Sequence, residues 1–338
     1  MAKIRTLAFR DLQKVKKMIS MLPAAENENF YFGLGEAYIP FPLNFLHSVL
    51  PLKFKFCNES YVATDKNELT GMISLNALPG NHCSWRINKL ILKENAYDVG
   101  RQLVDYVVSR YGAAGANTFT VRVDDHQEET IELFSKGCGF RVCSSEQLWR
   151  MKEINLQQPY FDKSFFRPFK NTDAQAVAIL CNELISPYFR YSLEKKKQEF
   201  YDLMFSGLSK NTYFKYVLED NSKNPIKGYF SIQTDDNKNF ILDINLIQPY
   251  IEHYPDVINF CIGQILMRKK DFNLYILNKK YQSTSSKTED YLTSNGFECI
   301  NHRIVMVKDF YKRIQEPERF GKPAIVFNDI GRKPAFKI

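Results

Sequence analysis

Apolar side chains recur at helical spacing in three stretches of the first half of the chain. In such a pattern the residues at positions i, i+3, i+4 and i+7 share one face of a helix, which is the face that packs on a core. The predicted helices span about 9–20, 99–111 and 127–136, with apolar faces that include Leu12, Val15, Met18 and Ile19 in the first and Leu103, Tyr106 and Val107 in the second.

Alternating and continuous apolar runs predict strands between these helices. Two of them flank a polar turn and a glycine, which is typical of a β-hairpin. The predicted strands span about 59–65, 70–77, 83–93 and 119–123, followed by the stretches "GFRVCS" and "QLWRMK" as two further strands. An aromatic and proline-rich segment covers about 27–56. The order of elements predicts an α/β unit around a mixed sheet.

Landmarks of the first half recur in the second half in the same order. An arginine precedes an aspartate by six residues in both halves, and a Gly-Phe pair follows the third predicted helix in both. The offsets between the copies are 162 for Arg5/Arg167, 157 for Gly71/Gly228, 158 for Asp98/Asp256 and 157 for Gly139/Gly296. Nearly constant offsets predict a tandem duplication of a unit of roughly 150 residues.

The duplication predicts two domains and a tail. The N-terminal domain covers 1–152 and the C-terminal domain 163–312, and the polar stretch 152–164 joins them. The tail, 313–338, contains the apolar run "AIVF", which either adds an edge strand or reaches a second subunit. The oligomeric state stays open.

Composition narrows the class of protein without naming an activity. Hydrophobic residues make up 44% of the 338 residues and charged residues 25%, which is globular composition. The most apolar window, 38–56, is interrupted by prolines, a histidine and lysines, so it is too broken to span a bilayer. We expect a cytoplasmic protein with reduced cysteines, because the seven cysteines show no pairing or zinc-binding pattern and no metal site is predicted.

The formal net charge of +8 is modest for a chain of this size. The basic residues are not concentrated in one tract, so a nucleic-acid partner is not favoured. A weak positive field also suits a small polyanionic ligand.

This order of elements, with its landmarks, resembles the GNAT superfamily of acyl-CoA-dependent N-acetyltransferases. Four features carry the resemblance: the Arg…Asp start of the first helix, the hairpin glycine Gly71, the strand–glycine–helix junction at Gly100, and an aromatic residue five positions before Gly139-Phe140. The resemblance covers about 1–152 and recurs more faintly over about 163–312. It implies two tandem GNAT-like units of mixed α/β fold.

The resemblance also implies where acetyl-CoA binds. The pantetheine arm would pair with the exposed backbone of the central strand, and the pyrophosphate would sit on the amides of the turn before the next helix. A helix N-terminus leaves amides unpaired and carries partial positive charge, which suits an anion. The implied cofactor-binding residues are Leu90, Ile91, Leu92, Asp98, Val99, Gly100, Arg101 and Gln102.

The first copy departs from the glycine-rich turn of the superfamily, and only Gly100 remains. A carboxylate at Asp98, about 4 Å from a phosphate oxygen, costs roughly 1 kcal/mol in water and about 4 kcal/mol at an effective dielectric near 20. As an N-cap, Asp98 would also occupy the amides of Gly100 or Arg101, and an ordinary capped helix is the alternative interpretation. The second copy has Pro255 and Ile258 in this turn, so it is expected to bind no nucleotide there.

The resemblance leaves the catalytic residues unassigned. The superfamily commonly has a tyrosine four residues before Gly-Phe, and those places hold Ser135 and Leu292, while the neighbouring Phe134 and Tyr291 are expected in the core. The first copy's central strand has no acid, whereas the second has Asp243. His126 is expected on a surface loop, and His47 either packs or lines the acceptor pocket.

Three hypotheses about function follow. The first is an acyl-CoA-dependent N-acyltransferase that moves an acetyl group from acetyl-CoA to a primary amine of a small molecule or a peptide. The second is a non-catalytic protein of the same fold that senses CoA or binds a partner. The third is an aminoacyl-tRNA-dependent transferase, a class that also uses paired units of this fold, and the net charge permits it. We expect 27–56 to line the acceptor pocket.

Overall fold

The computed structural model describes residues 2–20, 59–66, 68–78, 81–93, 96–151, 166–201, 212–220, 226–234 and 238–310. The predicted acceptor segment 27–56, His47, the joint 152–164 and the tail 313–338 lie outside the described residues. None of the described helices combines the length and the apolar character needed to cross a membrane.

The first half contributes six strands and three helices to the described structure. Its strands are β1 (Lys3–Thr6), β2 (Glu59–Asp65), β3 (Glu68–Leu78), β4 (Asn81–Leu92), β5 (Thr118–Asp124) and β6 (Arg141–Met151). A 3₁₀ turn over Phe9–Asp11 leads into α1 (Leu12–Ser20), and the other helices are α2 (Tyr97–Ala113) and α3 (Glu128–Glu132), which continues as a π-helical turn over Leu133–Gly137.

The second half repeats this order. Its strands are β7 (Phe166–Pro168), β8 (Thr212–Glu219), β9 (Ile226–Thr234), β10 (Asn239–Leu246), β11 (Asn273–Lys279) and β12 (Phe297–Asp309). Its helices are α4 (Ala174–Leu184), α5 (Pro187–Leu193), α6 (Tyr254–Leu266) and α7 (Ser285–Ser294), with 3₁₀ turns over Asn171–Asp173, Lys197–Glu199 and Tyr250–His253.

All twelve strands form one continuous sheet. Their order is β1-β2-β3-β4-β5-β12-β6-β11-β10-β9-β8-β7. The order is symmetric about the middle of the sheet. Each strand of the first half has its counterpart of the second half at the same distance from the opposite edge, β1 opposite β7, β2 opposite β8 and so on. The predicted duplication is therefore visible in the sheet. The mixed α/β fold class is confirmed.

The last strand of each half is inserted into the other half at the middle of the sheet. Strand β12 of the second half lies between β5 and β6 of the first, and β6 pairs with both β12 and β11. The prediction of two short strands, "GFRVCS" and "QLWRMK", was wrong, because they form the single strand β6. The polar residues between them continue the ladder: Glu146 lies opposite Arg303 on one side and Lys279 on the other.

The core follows from the alternation of side chains along the central strands. Phe119 and Val121 of β5 are buried on the face that α2 covers, where they meet Leu103, Val104 and Val107 of that helix. The equivalent face of the second half is covered by α6. Residues at alternate positions of β5 point to the opposite face of the sheet, which is more polar.

Candidate functional site

The parallel strands β4 and β5 part half-way along β4. Their ladder runs only from Ser84↔Thr118 to Ile87↔Val121. The register between β3 and β4 then shifts, since Ser74 pairs with Lys89 and Leu75 with Ile87, which leaves Asn88 as the extra residue of a bulge. A bulge bends its strand, so it marks the point at which β4 leaves β5.

The predicted pantetheine-binding residues lie just beyond this point. Leu90, Ile91 and Leu92 pair with β3 and, among the described strands, with no other. Ile91 is buried on the face of α1, whereas Leu90 and Leu92 pack on the side of α2. One edge of this backbone is therefore turned towards the gap between β4 and β5.

The helix that follows begins earlier than the sequence pattern predicts. The N-cap of α2 is Ala96, whose carbonyl accepts the amides of Val99 and Gly100, both at 3.0 Å. Within the described residues, no backbone acceptor lies within bonding distance of the amides of Tyr97 and Asp98. These two donors, at the positive end of a 17-residue helix, are suited to an anion.

The prediction of Asp98 as an N-cap was wrong. Its side chain makes no capping hydrogen bond, because the helix starts one residue before it and places it in the first turn. Asp98 is exposed there, as is Arg101, which lies 3.7 Å from Asp105 one turn further along. Among the described residues, the carboxylate of Asp98 therefore does not cap the first amides of the helix.

Gly100 has a packing role at the start of α2. It is buried, and a Cβ at this position would come within 2.7 Å of Leu92 Cδ1 and 2.8 Å of Leu133 Cδ2. Its own amide is already bonded to Ala96. The absence of a side chain lets α2 lie close to β4 and to the turn after α3. Val99 and Gln102, the remaining predicted residues, are half-buried in the same two turns.

Comparison with solved structures identifies the arrangement. The structure superposes with a TM-score of 0.56 on a tandem GNAT protein from the clavulanic acid biosynthesis pathway, at 13% identity over 91% of this chain and 98% of that one. It superposes with a TM-score of 0.58 on a GCN5-related N-acetyltransferase from Sphaerobacter thermophilus, at 9% identity over 91% and 95% of the two chains.

A putative acetyltransferase from Pyrococcus horikoshii gives a TM-score of 0.51 at 11% identity, with 92% of this chain and 90% of that one covered. The chain has the tandem GNAT fold. No protein-family model matches the sequence, and no curated protein matches it. At such low identities the likeness shows the fold of the two GNAT units. The activity has to be argued from the residues of the site.

The side chains considered for catalysis in the first GNAT unit form other contacts or lie on the surface. Ser135 donates its hydroxyl hydrogen to the carbonyl of Ile131 at 2.7 Å, which satisfies it within its own helical turn. Phe134 is buried in the core, as predicted, with its ring 5.2 Å from that of Phe140. His126 lies exposed in the turn after β5, as predicted for a surface histidine.

The second GNAT unit has different side chains at the equivalent place. Pro255 lies in the first turn of α6 and Ile258 is buried beneath it. The rings of Tyr254 and Tyr291 pack edge to face at 5.4 Å and join α6 to α7. The pKa of Tyr254 is raised by burial, so its hydroxyl stays protonated.

Asp243 of the second unit forms an ion pair that the sequence did not reveal. Lys279 Nζ lies 2.5 and 2.6 Å from its two carboxylate oxygens, and Asn245 Nδ2 donates to it at 3.0 Å. Burial, the largest single influence, opposes ionisation of Asp243, but the charges of Lys279 and Lys195 and the hydrogen bonds from Lys279 and Asn245 together lower the pKa of the carboxyl. The carboxylate is therefore held ionised by a lysine rather than poised to accept a proton.

Proposed function

We propose that the protein is an acyl-CoA-dependent N-acyltransferase that moves an acetyl group from acetyl-CoA to a primary amine. In this reaction the amine nitrogen attacks the thioester carbonyl carbon. The N–C bond forms, the C–S bond breaks, the amine loses a proton, and CoA leaves as the free thiol. The observation that carries the proposal is the early end of the β4–β5 ladder beside the N-terminus of α2.

The residues of the first unit fit such a ligand at both ends of its arm. The backbone of Leu90–Leu92 has an edge without a strand partner among the described strands, and pantetheine carries amides that bond to such an edge. The amides of Tyr97 and Asp98 offer donors to a pyrophosphate. Arg101 adds a positive charge one turn away.

The second unit fits the same ligand poorly. Proline at position 255 removes an amide donor from the first turn of α6. Ile258 replaces Gly100 of the first unit and carries a bulky side chain in the same turn. We therefore assign acetyl-CoA to the first unit alone, with one molecule bound per chain.

The proposal is tested by titrating acetyl-CoA into the wild-type protein and into an Asp98→Asn variant by calorimetry. Wild type should bind one equivalent. The variant should bind about fivefold more tightly, because removing an exposed carboxylate near a phosphate is worth about 1 kcal/mol in water. Release of free thiol with a panel of amines then distinguishes an enzyme from a protein that only binds CoA.

The matched control is Asp256→Asn, which removes the same charge at the equivalent position of the second unit. Its affinity for acetyl-CoA should equal that of wild type. Absence of binding by wild type, or an equal gain in both variants, contradicts the assignment of the ligand to the first unit.

A further inference from the structure

The sheet face opposite α2 carries charged side chains from both units. Side chains directly across neighbouring strands point to the same face. Arg86 lies beside Thr120 on β5, two residues from Arg122. Glu146 lies opposite both Arg303 and Lys279.

Asp243 belongs to the same face, because it pairs with Leu277, two residues before Lys279. Lys195 and Glu199, which follow α5, interact electrostatically with both ends of this row. Together they form what we call the ionic ring: Arg86, Glu146, Lys279, Asp243, Lys195 and Glu199.

The ring residues on β6, β11 and β10, which are Glu146, Lys279 and Asp243, each form a close ion pair. Arg122 donates to the two oxygens of Glu146 at 2.7 and 3.0 Å, and Tyr281 donates to it at 3.2 Å. Burial, the largest single influence, opposes ionisation of Glu146, but Arg122 together with the charges of Lys279 and Arg86 lowers its pKa to about 2. Lys279 is paired with Asp243 as described above. The lowered pKa values keep Glu146 and Asp243 ionised at neutral pH, whereas burial lowers the pKa of Lys279 against the pull of Asp243.

The segment that carries Lys195 and Glu199 belongs to the second unit and contacts the first. Lys196 Nζ donates to Asn81 Oδ1 at 3.1 Å, which fixes the segment to the start of β4. Asn182 holds the same segment from the other side, since Lys195 N donates to its Oδ1 at 2.8 Å. The second unit therefore places a lysine and a glutamate beside Arg86 of the first.

The ring is buried at Glu146 and Lys279, whose side chains are 1% and 4% accessible, and it reaches solvent at its other members. Burial is the largest influence on the pKa of Asp243, yet 23% of its side chain is accessible to solvent. The side chain of Arg122 is 19% accessible. Lys195 and Glu199 are half-buried as well. We call this solvent-facing side of the ring, at Asp243, Lys195 and Glu199 with the neighbouring Arg122, the cleft.

Positive charge is in excess in this cleft. The ring has three cations and three carboxylates, and Arg122 adds a fourth cation. Burial raises the pKa of Glu199 and lowers that of Lys279, so it weakens one charge of each sign and leaves the excess of one cation. A carboxylate is the group that restores neutrality and can accept hydrogen bonds from lysine and arginine.

The cleft also lies next to the predicted place of the thioester. Arg86 is two residues from Asn88, the bulge at which β4 leaves β5. We propose that the cleft binds the carboxylate of the acceptor, so that the acceptor is a small molecule of the amino-acid class whose amine reaches the gap beside Asn88. This inference rests on the proposed function and names its substrate class.

The test is a calorimetric titration of the twenty standard amino acids, and of their carboxamides, into the protein without acetyl-CoA. At least one amino acid should bind, and its carboxamide should bind more than about tenfold more weakly, since it lacks the charge. Lys195→Gln should weaken binding of that amino acid by about tenfold, and Glu199→Gln should strengthen it. Opposite effects of the two variants cannot arise from misfolding.

Lys136→Gln is the control, because it removes the same charge from an exposed pair with Glu132 where the lysine is 77% accessible. Its affinity should be unchanged. Binding of acetyl-CoA without binding of any amino acid would overturn this inference and leave the proposed function intact. Binding of an amino acid without acetyl-CoA would overturn the proposed function and support a carboxylate site.

Discussion

At the scale of single residues, the repeated Arg…Asp pair fixes the start of each unit. Arg5 donates to both oxygens of Asp11 at 2.6 and 2.8 Å, and Asp11 also accepts the amide of Ala8 at 2.9 Å. Arg167 and Asp173 make the same contacts at 2.7 and 3.1 Å. The carboxylate thus ties the first strand of a unit to the turn that begins its first helix.

We predict that Asp11→Asn lowers the free energy of unfolding by about 2 kcal/mol, because a buried, charge-assisted pair and a turn bond are lost. The hydrogen bond from Arg5 holds the pKa of Asp11 below its ordinary value. The stabilisation is therefore complete above that ordinary value and disappears as the pH falls through the lower pKa of the folded state.

Urea unfolding at neutral pH and at a series of acidic pH values measures this effect. The difference between wild type and Asp11→Asn should shrink as the pH decreases. Asp65→Asn, at an exposed position, should match wild type throughout. An undiminished difference at low pH would show that the ion pair is not the cause.

The sequence shows the six-residue spacing in both halves, but it did not predict that the two residues form an ion pair. It did not predict the position of Asp98 in its helix. Helix start is decided by which carbonyl accepts the first amides, and Ala96 takes that role although its side chain cannot cap. Likewise, the partner of Asp243 is Lys279, 36 residues further along, which only the fold brings close.

At the scale of elements, the contact between α2 and β4 depends on the missing side chain of Gly100. The glycines after α3 and α7 have a different role: Gly139 and Gly296 have φ of 69° and 75°, a left-handed conformation that other residues adopt at a cost. Their common conformation explains why the Gly-Phe pair occurs in both halves.

We predict that Gly100→Ala lowers the free energy of unfolding by about 1–2 kcal/mol, because overpacking against Leu92 and Leu133 outweighs the gain in helix propensity. The control is Gly112→Ala in the same helix, where an added Cβ would meet no atom within 4 Å. It should be neutral or stabilising by up to about 1 kcal/mol. Urea unfolding of both variants measures the difference. Equal changes in the free energy of unfolding for Gly100→Ala and Gly112→Ala would exclude a packing role for Gly100.

Strand β6 shows where pattern analysis fails at this scale. Its centre reads Ser144, Ser145, Glu146, which is polar enough to predict a turn. The structure keeps this stretch extended, because β12 and β11 supply ladder partners on both sides and Arg122 neutralises the glutamate. Those partners belong to distant parts of the chain, so local propensity cannot report them.

At the scale of the whole molecule, the two units share strands. Strand β12 separates β5 from β6, and β6 separates β11 from β12, so the last two strands of each half are joined only through a strand of the other half. Arg303 of β12 also pairs with Asp124 of β5 at 2.8 Å in a buried position. The duplication could be predicted from sequence offsets, whereas the exchange of strands could not, because both halves carry the same pattern.

We predict that residues 1–152 expressed alone do not fold into a stable monomer, since β5 and β6 would each lack the strand that lies between them. Co-expression with 153–338 should restore a one-to-one complex with the wild-type circular dichroism spectrum. Size-exclusion chromatography and thermal unfolding provide the measurement. A cooperative monomeric transition of 1–152 alone would show that the shared strand is dispensable.

The central claim is that the first unit holds acetyl-CoA where β4 leaves β5. A structure of the protein crystallised with acetyl-CoA tests it most directly. The account predicts the pantetheine arm beside Leu90–Leu92 and the pyrophosphate at the amides of Tyr97 and Asp98, with no ligand beside α6. Acetyl-CoA bound between β10 and β11 of the second unit, or absent from both units, would contradict it.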